Sequence, residues 1–429
     1  MAKKKDEQTA DGLPLVAVDM GSSSFKFVAA ELTESSYPST IRILASEVSS
    51  KYFGVVKKGV IQNTSNASYR LRDSLRQLGN RMGRKEELPT AFTLYGGKSL
   101  RCVDVAVKRS QGTMMPVSQK TIDGMREECI IKVGTNDKTI CGLDAHLYSL
   151  TLDDTEYSTL PSPAPNATRL QGRFSTFFGS LELRDRVQGS FDRAGKSIEQ
   201  AFARPAALVE ALATEEDEIS GLGIIDMGAQ TTTITIYKNG RYLSCKTLPF
   251  GGENITNDIS ALGISIENAE KLKLRYGSAI EPKHKDDKTI RIKAVKEDEQ
   301  PVLVKTSFLS KIITSRLNEI MRPILLELNE WDDQISKVYL TGGASKMADI
   351  VEYVQSFTAL PVSYGSHADW LAAGTDIEWQ SPEYSALIGS LLLGAKYREQ
   401  HPGKALNKTP IVKKGILERL GDLFTAPTN

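Results

Sequence analysis

Residues 221–237 read GLGIIDMGAQTTTITIY, an apolar run, an abrupt Asp-x-Gly turn at 226–228 and a second β-branched run. The pattern predicts a buried strand, a tight turn that carries a carboxylate off the strand end, and a returning strand alternating Thr with Ile. Such a turn suits a phosphate. Asp226 can hold a hydrated divalent cation, Gly228 lets backbone approach an anion closely, and the N–H groups of Ala229, Gln230 and Thr231 can point at phosphate oxygens. An ordinary Asp-Gly hairpin has the same local signature, so the reading depends on a partner elsewhere in the chain.

Residues 14–31, PLVAVDMGSSSFKFVAAE, supply that partner. Here an apolar strand ends at Asp19, Gly21 makes the turn, Ser22, Ser23 and Ser24 offer hydroxyls and N–H groups, and Lys26 adds a cation suited to β- or γ-oxygens. Asp19 and Asp226 stand 207 positions apart, each in strand-Asp-Met-Gly-small-polar-strand. That is an internal repeat. Two duplicated halves, each presenting one Asp turn to a common cleft, make a nucleotide clamp.

The rest of the chain sets bounds. A length of 429 residues exceeds one compact core and predicts two or three domains. Lys+Arg number 54 against 53 Asp+Glu, a net charge of +1, so no bulk electrostatic signal points to nucleic acid. Cys102, Cys129, Cys141 and Cys245 form no Cys-x-x-Cys pair and are expected to be reduced thiols. Residues 1–12 carry lysines followed by polar and acidic residues without an apolar core, and are expected to be a disordered leader rather than a signal peptide. The most apolar stretch, 386–395, is about half the length a membrane span needs.

Between the two turns, 64–84 reads as a polar helix with Leu71, Leu75 and Leu78 on one face. Residues 88–171 read as an insertion, with alternating runs at 91–95 and 102–108, a helix at 118–132 and a Ser-Pro-rich surface loop at 158–168. A strand pattern resumes at 174–183, and 191–213 reads as one mostly buried helix. After the second turn, Gly251 and Gly252 open onto a helix, 266–276 is another helix with Glu270 and Lys273 on one face, 289–295 belongs to an exposed hairpin, and 308–328 is a long helix containing Pro323. Residues 335–349, ISKVYLTGGASKMAD, predict a strand, a Thr-Gly-Gly turn and a helix from about Lys346. Gly342 and Gly343 leave room for a flat adenine or ribose. Residues 384–397 form a closing helix rich in small residues.

The ordered set DMGSSSFK, DMGAQTTT and TGGASKM resembles the phosphate-1, phosphate-2 and adenosine motifs of the actin, Hsp70 and sugar-kinase superfamily. Within it, GGENITNDI from Gly251 and AEKLKLRYG from Ala269 resemble the FtsA family of bacterial actin-like cell-division proteins. The resemblance implies an α/β, actin-like ATPase fold, two ribonuclease-H-like lobes around a cleft that takes ATP and Mg²⁺. It implies a first lobe of 13–87 and 172–220, an inserted subdomain of 88–171 used in self-association and partner contacts, and a second lobe of 221–398 with a smaller subdomain at about 252–306. Asp19 and Asp226 map onto the aspartates that hold the metal and the attacking water. Gly21, Ser22, Ser23, Ser24 and Lys26 map onto the first phosphate loop, and Gly228, Ala229, Gln230 and Thr231 onto the second. Glu270 and Lys273 map onto the adenosine-facing helix, Gly342 and Gly343 onto the adenosine turn. Where the family usually has Gly-Gly after the glycine matching Gly228, this chain has Ala229-Gln230, which predicts nucleotide binding with at most slow ATP hydrolysis. GSSSFK also resembles PilM, the actin-like adaptor of type IV pilus assembly.

The end of the chain separates these relatives. A polar linker, 399–410, precedes IVKKGILERLGDLF, 411–424. At helical spacing Ile416, Leu417, Leu420, Leu423 and Phe424 share an arc of about 120°, and Lys413, Lys414 and Arg419 supply positive charge. FtsA members end in such a membrane-targeting helix. The expectation is therefore a cytoplasmic protein, peripheral on the inner membrane face at the division site, that polymerises with itself, tethers FtsZ through the FtsZ C-terminal segment, and meets anionic lipid and other division proteins. A PilM-like ATP-binding adaptor is the alternative, and a small-molecule kinase on the same fold is a third reading, for which no acceptor base is evident.

Overall fold

A computed structural model describes residues 13–33, 40–49, 54–84, 88–281, 287–295 and 300–402. The linker from 403 onward, the amphipathic segment 411–424 and the leader 1–12 lie outside the described residues.

Two sheets carry the repeat. In the first, Ile41–Ser49, Phe25–Leu32 and Leu15–Met20 run antiparallel to one another, then Thr90–Tyr95 and Ser197–Ala203 follow in parallel. In the second, Arg241–Leu248, Thr232–Lys238 and Leu222–Met227 run antiparallel, then Lys337–Thr341 and Val362–Tyr364 follow in parallel. The order and directions are the same, so the duplication seen in two short motifs extends through five strands of each half. Each aspartate sits one residue before the end of the first strand of its half.

The second sheet continues past Arg241–Leu248 into the inserted stretch, through Arg101–Pro116, Asn166–Ser180, Ile140–Leu152 and Thr155–Tyr157. The join is narrow: Arg241–Leu248 and Arg101–Pro116 register only at Lys246 and Arg101, whereas Arg101–Pro116 pairs with Asn166–Ser180 along nearly its whole length. Helix Gln119–Val133, capped by Ser118, packs on this extension over a core containing Val107, Met125 and Phe174.

Leu222–Met227 is buried on both faces. Because successive strand side chains point to opposite faces, Leu222 and Ile224 enter the core of the first lobe, while Ile225 and Met227 enter that of the second. Asp226 shares the parity of Ile224 and is thereby aimed at the first lobe. The helices follow their sequence signals: Asn63 caps Thr64–Arg81, whose Leu71, Leu75 and Leu78 are buried, and Ile266–Tyr276 and Thr306–Asn329 form where expected.

Four expectations are corrected. The single helix at 191–213 is a helix, Leu181–Ala194, a strand, Ser197–Ala203, and a second helix, Arg204–Leu212; Gly195, at φ +69°, ends the first in the left-handed conformation and Pro205 opens the second. Residues 90–95, read with the insertion, form a fully buried strand inside the first sheet. The helix expected from Lys346 begins at Ile350 after a 3₁₀ turn, Gly343–Lys346, because Asp349 adopts φ +60° and accepts a hydrogen bond from Ser278 Oγ at 2.5 Å. The closing helix, Ser385–Gln400, was expected with the second lobe, yet its Ala386, Leu387, Ile388 and Leu391 pack into the first-lobe core. It crosses Arg204–Leu212 so closely that a Cβ at Gly389 would overlap the Ala207 carbonyl oxygen.

Candidate functional site

The two Asp turns are built alike. Asp19 pairs with Lys26 and Asp226 with Thr233 across their hairpins, leaving four-residue loops at 21–24 and 228–231. In each, a Cβ on the leading glycine would stand 3.0 Å from the carbonyl oxygen three residues on, Ser24 in the first loop and Thr231 in the second. The glycines therefore serve the tightness of the turns.

Between the carboxylates lies a side chain that the sequence reading missed. Arg204 Nη1 donates to Asp19 Oδ2 at 2.8 Å, and Arg204 Nε donates to Asp226 Oδ2 at 2.6 Å. All three side chains are largely buried, Arg204 at 22% side-chain exposure and the aspartates at 11% and 6%. Burial opposes the charged form of Arg204, but the charges of Asp19 and Asp226 and their hydrogen bonds outweigh it and raise the guanidinium above its ordinary value. The arginine opens helix Arg204–Leu212, with Pro205 behind it, and its stem passes Gly96, where a Cβ would meet Arg204 Cδ at 3.3 Å. Gly96 and Gly97, after the fourth strand of the first sheet, are the counterparts of Gly342 and Gly343 in the second, a further repeat not noticed in the sequence. The signal for Arg204 was a lone cation before Pro in an otherwise apolar run.

Gly342 owes its identity to Asp226. It has φ +87°, and a Cβ there would collide with Asp226 Oδ1 and stand 2.6 Å from the Met227 carbonyl oxygen. Asp226 Oδ1 itself is buried without a hydrogen-bond partner among the described residues. Gly342→Ala should cost about 1–3 kcal/mol from its positive-φ, extended backbone alone, φ +87° and ψ 162°, read as a lowered denaturation midpoint. Gly343 is roomier, with Glu383 Cβ 3.9 Å from where its Cβ would lie.

The remaining residues tie the lobes together. Gln230 Oε1 accepts from Lys58 N–H at 2.8 Å, and its Nε2 donates to Glu253. Gly252 N–H donates to the Gly228 carbonyl at 3.0 Å and Glu253 N–H to that of Ala229 at 2.7 Å, docking the second turn onto helix Gly252–Ser260. Lys26 Nζ pairs with Glu383 Oε2 at 3.1 Å and donates to the Glu383 carbonyl at 3.0 Å. It is held toward the Thr-Gly-Gly turn, where Lys346 also pairs with Glu383 at 2.7 Å. Glu270 and Lys273 pair at 2.7 Å, and buried Lys273 donates to the Gly252 carbonyl at 3.1 Å and to Thr256 Oγ1 at 2.9 Å. Gly252 lies against Ala344, so this pair joins the second turn to the Thr-Gly-Gly turn. The hydroxyls of Ser22, Ser23 and Ser24 line the open first turn, with Ser23 exposed. A cavity of about 180 Å³ lies beside Lys58, Gln230 and Glu253, below the roughly 300–1,000 Å³ of ligand pockets. A larger one of about 410 Å³ opens among Asn329, Asp333 and Phe357, on residues unconnected with either Asp turn.

The implied cofactors fit unequally. The paired turns with their Ser hydroxyls suit phosphate. The carboxylates do not suit a bridging divalent cation as they stand, because Arg204 already holds one oxygen of each and sets a positive charge between them. Among the described residues no group of three or more His, Cys, Asp or Glu could hold a metal. Nor is any helix among them long and apolar enough to cross a membrane.

Comparison with known proteins agrees with the motifs. A family model described as "Cell division protein FtsA" matches residues 223–389; the first Asp turn lies outside that stretch, and its equivalence rests on the repeated geometry. The cell division protein FtsA of Neisseria meningitidis serogroup B is 27% identical over 305 residues, 70% of this chain and 68% of that protein. In structure the chain is similar to one in the PilM-PilN type IV pilus biogenesis complex, with TM-score 0.60 and 15% identity over 89% of this chain and 98% of that one. It is also similar to MreB5 of Spiroplasma citri bound to ADP, with TM-score 0.53 and 11% identity over 91% of this chain and 99% of that one. These last two likenesses are of fold, and the fold is actin-like.

Proposed function

The chain is a relative of the bacterial cell-division protein FtsA on an actin-like fold, and on that premise we propose that it binds ATP between its lobes, polymerises at the inner face of the cell membrane and anchors FtsZ filaments there. The observation that carries the reading is the repeated Asp turn, one from each of two identically ordered sheets, brought to a common point. Gly21, Ser22, Ser23, Ser24 and Thr231 would hold the phosphates, and Gly343 and Lys273 stand on the adenosine side. A bound nucleotide would supply polyphosphate charge; the two turns would orient it, and the Lys26–Glu383 and Gln230–Lys58 ties would enclose it. Inserted residues 101–171 would make the self-association and partner contacts.

Membrane attachment is assigned to Ile416, Leu417, Leu420, Leu423 and Phe424 with Lys413, Lys414 and Arg419, all outside the described residues. A helix this short is marginal in water. Each buried apolar side chain contributes about 1.5–3 kcal/mol before ordering costs, so one copy binds weakly and a polymer binds firmly. The test is co-sedimentation of the full chain with anionic liposomes, with and without FtsZ, beside calorimetric titration of ATP. Leu420→Glu should abolish pelleting and leave ATP binding unchanged. Pelleting equal to the parent removes the anchor, and absence of ATP binding removes the nucleotide clamp.

A further inference from the structure

We propose that Arg204 is a resident cation standing where a divalent metal would otherwise bridge Asp19 and Asp226, so that the nucleotide site works without metal and holds ATP without hydrolysing it. The second half of this statement rests on the nucleotide reading above; the first does not.

Two carboxylates from facing strand ends in a buried site need a counter-charge. A divalent cation is one solution and a guanidinium is the other. Arg204 takes Oδ2 of both groups, at 2.8 Å and 2.6 Å, distances of charge-assisted hydrogen bonds. A metal ion bridging through the same two oxygens would have to displace those bonds, and one approaching the remaining oxygens would meet the resident positive charge and have to shed its own waters, which Mg²⁺ does reluctantly. It would also leave the guanidinium without a partner in a largely buried cleft, where removing one member of an ion pair is costly.

The arginine stands on an anchored stretch of chain. Its backbone is fixed on both sides: Pro205 follows it at the first turn of the helix, and the N–H of Ala203 before it donates to buried Asp144 at 2.8 Å. Its stem runs past Gly96, at the counterpart of the Thr-Gly-Gly turn. The fork uses Nε and one Nη1 hydrogen on the aspartates. Of the five N–H groups an arginine carries, the others have no hydrogen-bond partner among the described residues and are available to a phosphate oxygen, for which the planar fork is suited. Each aspartate has its Oδ2 taken by the arginine, and one guanidinium brings less charge to the phosphates than the divalent ion phosphoryl transfer normally uses.

The test uses the full-length protein, with Mn²⁺ as the metal probe, followed by electron paramagnetic resonance and by thermal melting, neither of which needs nucleotide. The parent should show no Mn²⁺ binding that depends on Asp226, and a melting temperature unchanged between millimolar Mn²⁺ and EDTA. Arg204→Ala should melt lower, recover in Mn²⁺ and acquire one bound ion, which the added change Asp226→Asn removes. If Arg204→Ala does not fold, Arg204→Lys, which keeps the charge but loses the fork, takes its place and should gain weaker Mn²⁺ binding. Mn²⁺ bound by the parent and lost on Asp226→Asn overturns the proposal. Fluorescent ATP titrated into the parent should bind within about threefold equally in Mg²⁺ and in EDTA, and a loss of about tenfold or more in EDTA also overturns it. No nucleotide binding in either buffer sinks the nucleotide clamp instead, and the Mn²⁺ measurement then decides the role of Arg204 alone.

Discussion

Asp144→Ala should cost about 3–5 kcal/mol of folding stability, the range for breaking a buried ion pair by removing one partner. Asp144 is fully buried on strand Ile140–Leu152. It accepts from Arg126 Nη2 at 2.6 Å, from its neighbour Ala145 N–H at 2.9 Å and from Ala203 N–H at 2.8 Å, and its Oδ2 lies 2.8 Å from His146 Nε2. Burial alone would push this carboxyl up, but the charges and hydrogen bonds of His146, Arg126 and Ala203 hold it well below the usual carboxylate range. A carboxyl depressed on folding stabilises fully above its unfolded value, about 3.9, and loses that contribution as pH falls through the folded value. The gap between parent and variant in denaturant titrations should therefore narrow between about pH 5 and pH 2. A gap that stays constant over that interval would show that Asp144 acts by packing alone.

Gly389→Val should destabilise by about 3 kcal/mol or more, at or beyond the upper end of ordinary overpacking. The obstacle is backbone: a Cβ at position 389 overlaps the Ala207 carbonyl oxygen, and a carbonyl in a helix cannot rotate out of the way as a side chain does. The helices must separate, and Arg204, at the start of the displaced helix, moves with them. Thermal melting with near-ultraviolet circular dichroism would record both effects; a variant melting within a few degrees of the parent would mean that the crossing is looser than described.

Local patterns made much of the fold legible. Asp19 and Asp226 could be read because strand, carboxylate, glycine and returning strand are contiguous, and Ile266–Tyr276 because its periodic pattern is complete within 11 residues. What escaped depends on distant partners. Arg204 lies 22 residues from one carboxylate and 185 from the other, and nothing local marks an arginine that will meet two aspartates. Thr90–Tyr95 was assigned to its sequence neighbours because a buried parallel strand looks the same wherever it docks. Gly195 and Pro205 did mark the ends of separate elements within 191–213, but the surrounding alanines, leucines and valine matched a helical period closely enough to hide them.

The narrow join between Arg241–Leu248 and Arg101–Pro116 makes the long sheet a creased ribbon rather than a plate. Load applied to the inserted strands passes along their own well-registered ladder and arrives at a line where the Lys246–Arg101 rung is the sole registered pair. Bending at that crease sacrifices little backbone hydrogen bonding. The inserted unit is fastened off the crease as well, through Asp144 to Ala203 beside Arg204 and through Asp123 to His401 at 2.8 Å. A force that bends the crease would therefore also bear on Ala203, the residue before Arg204.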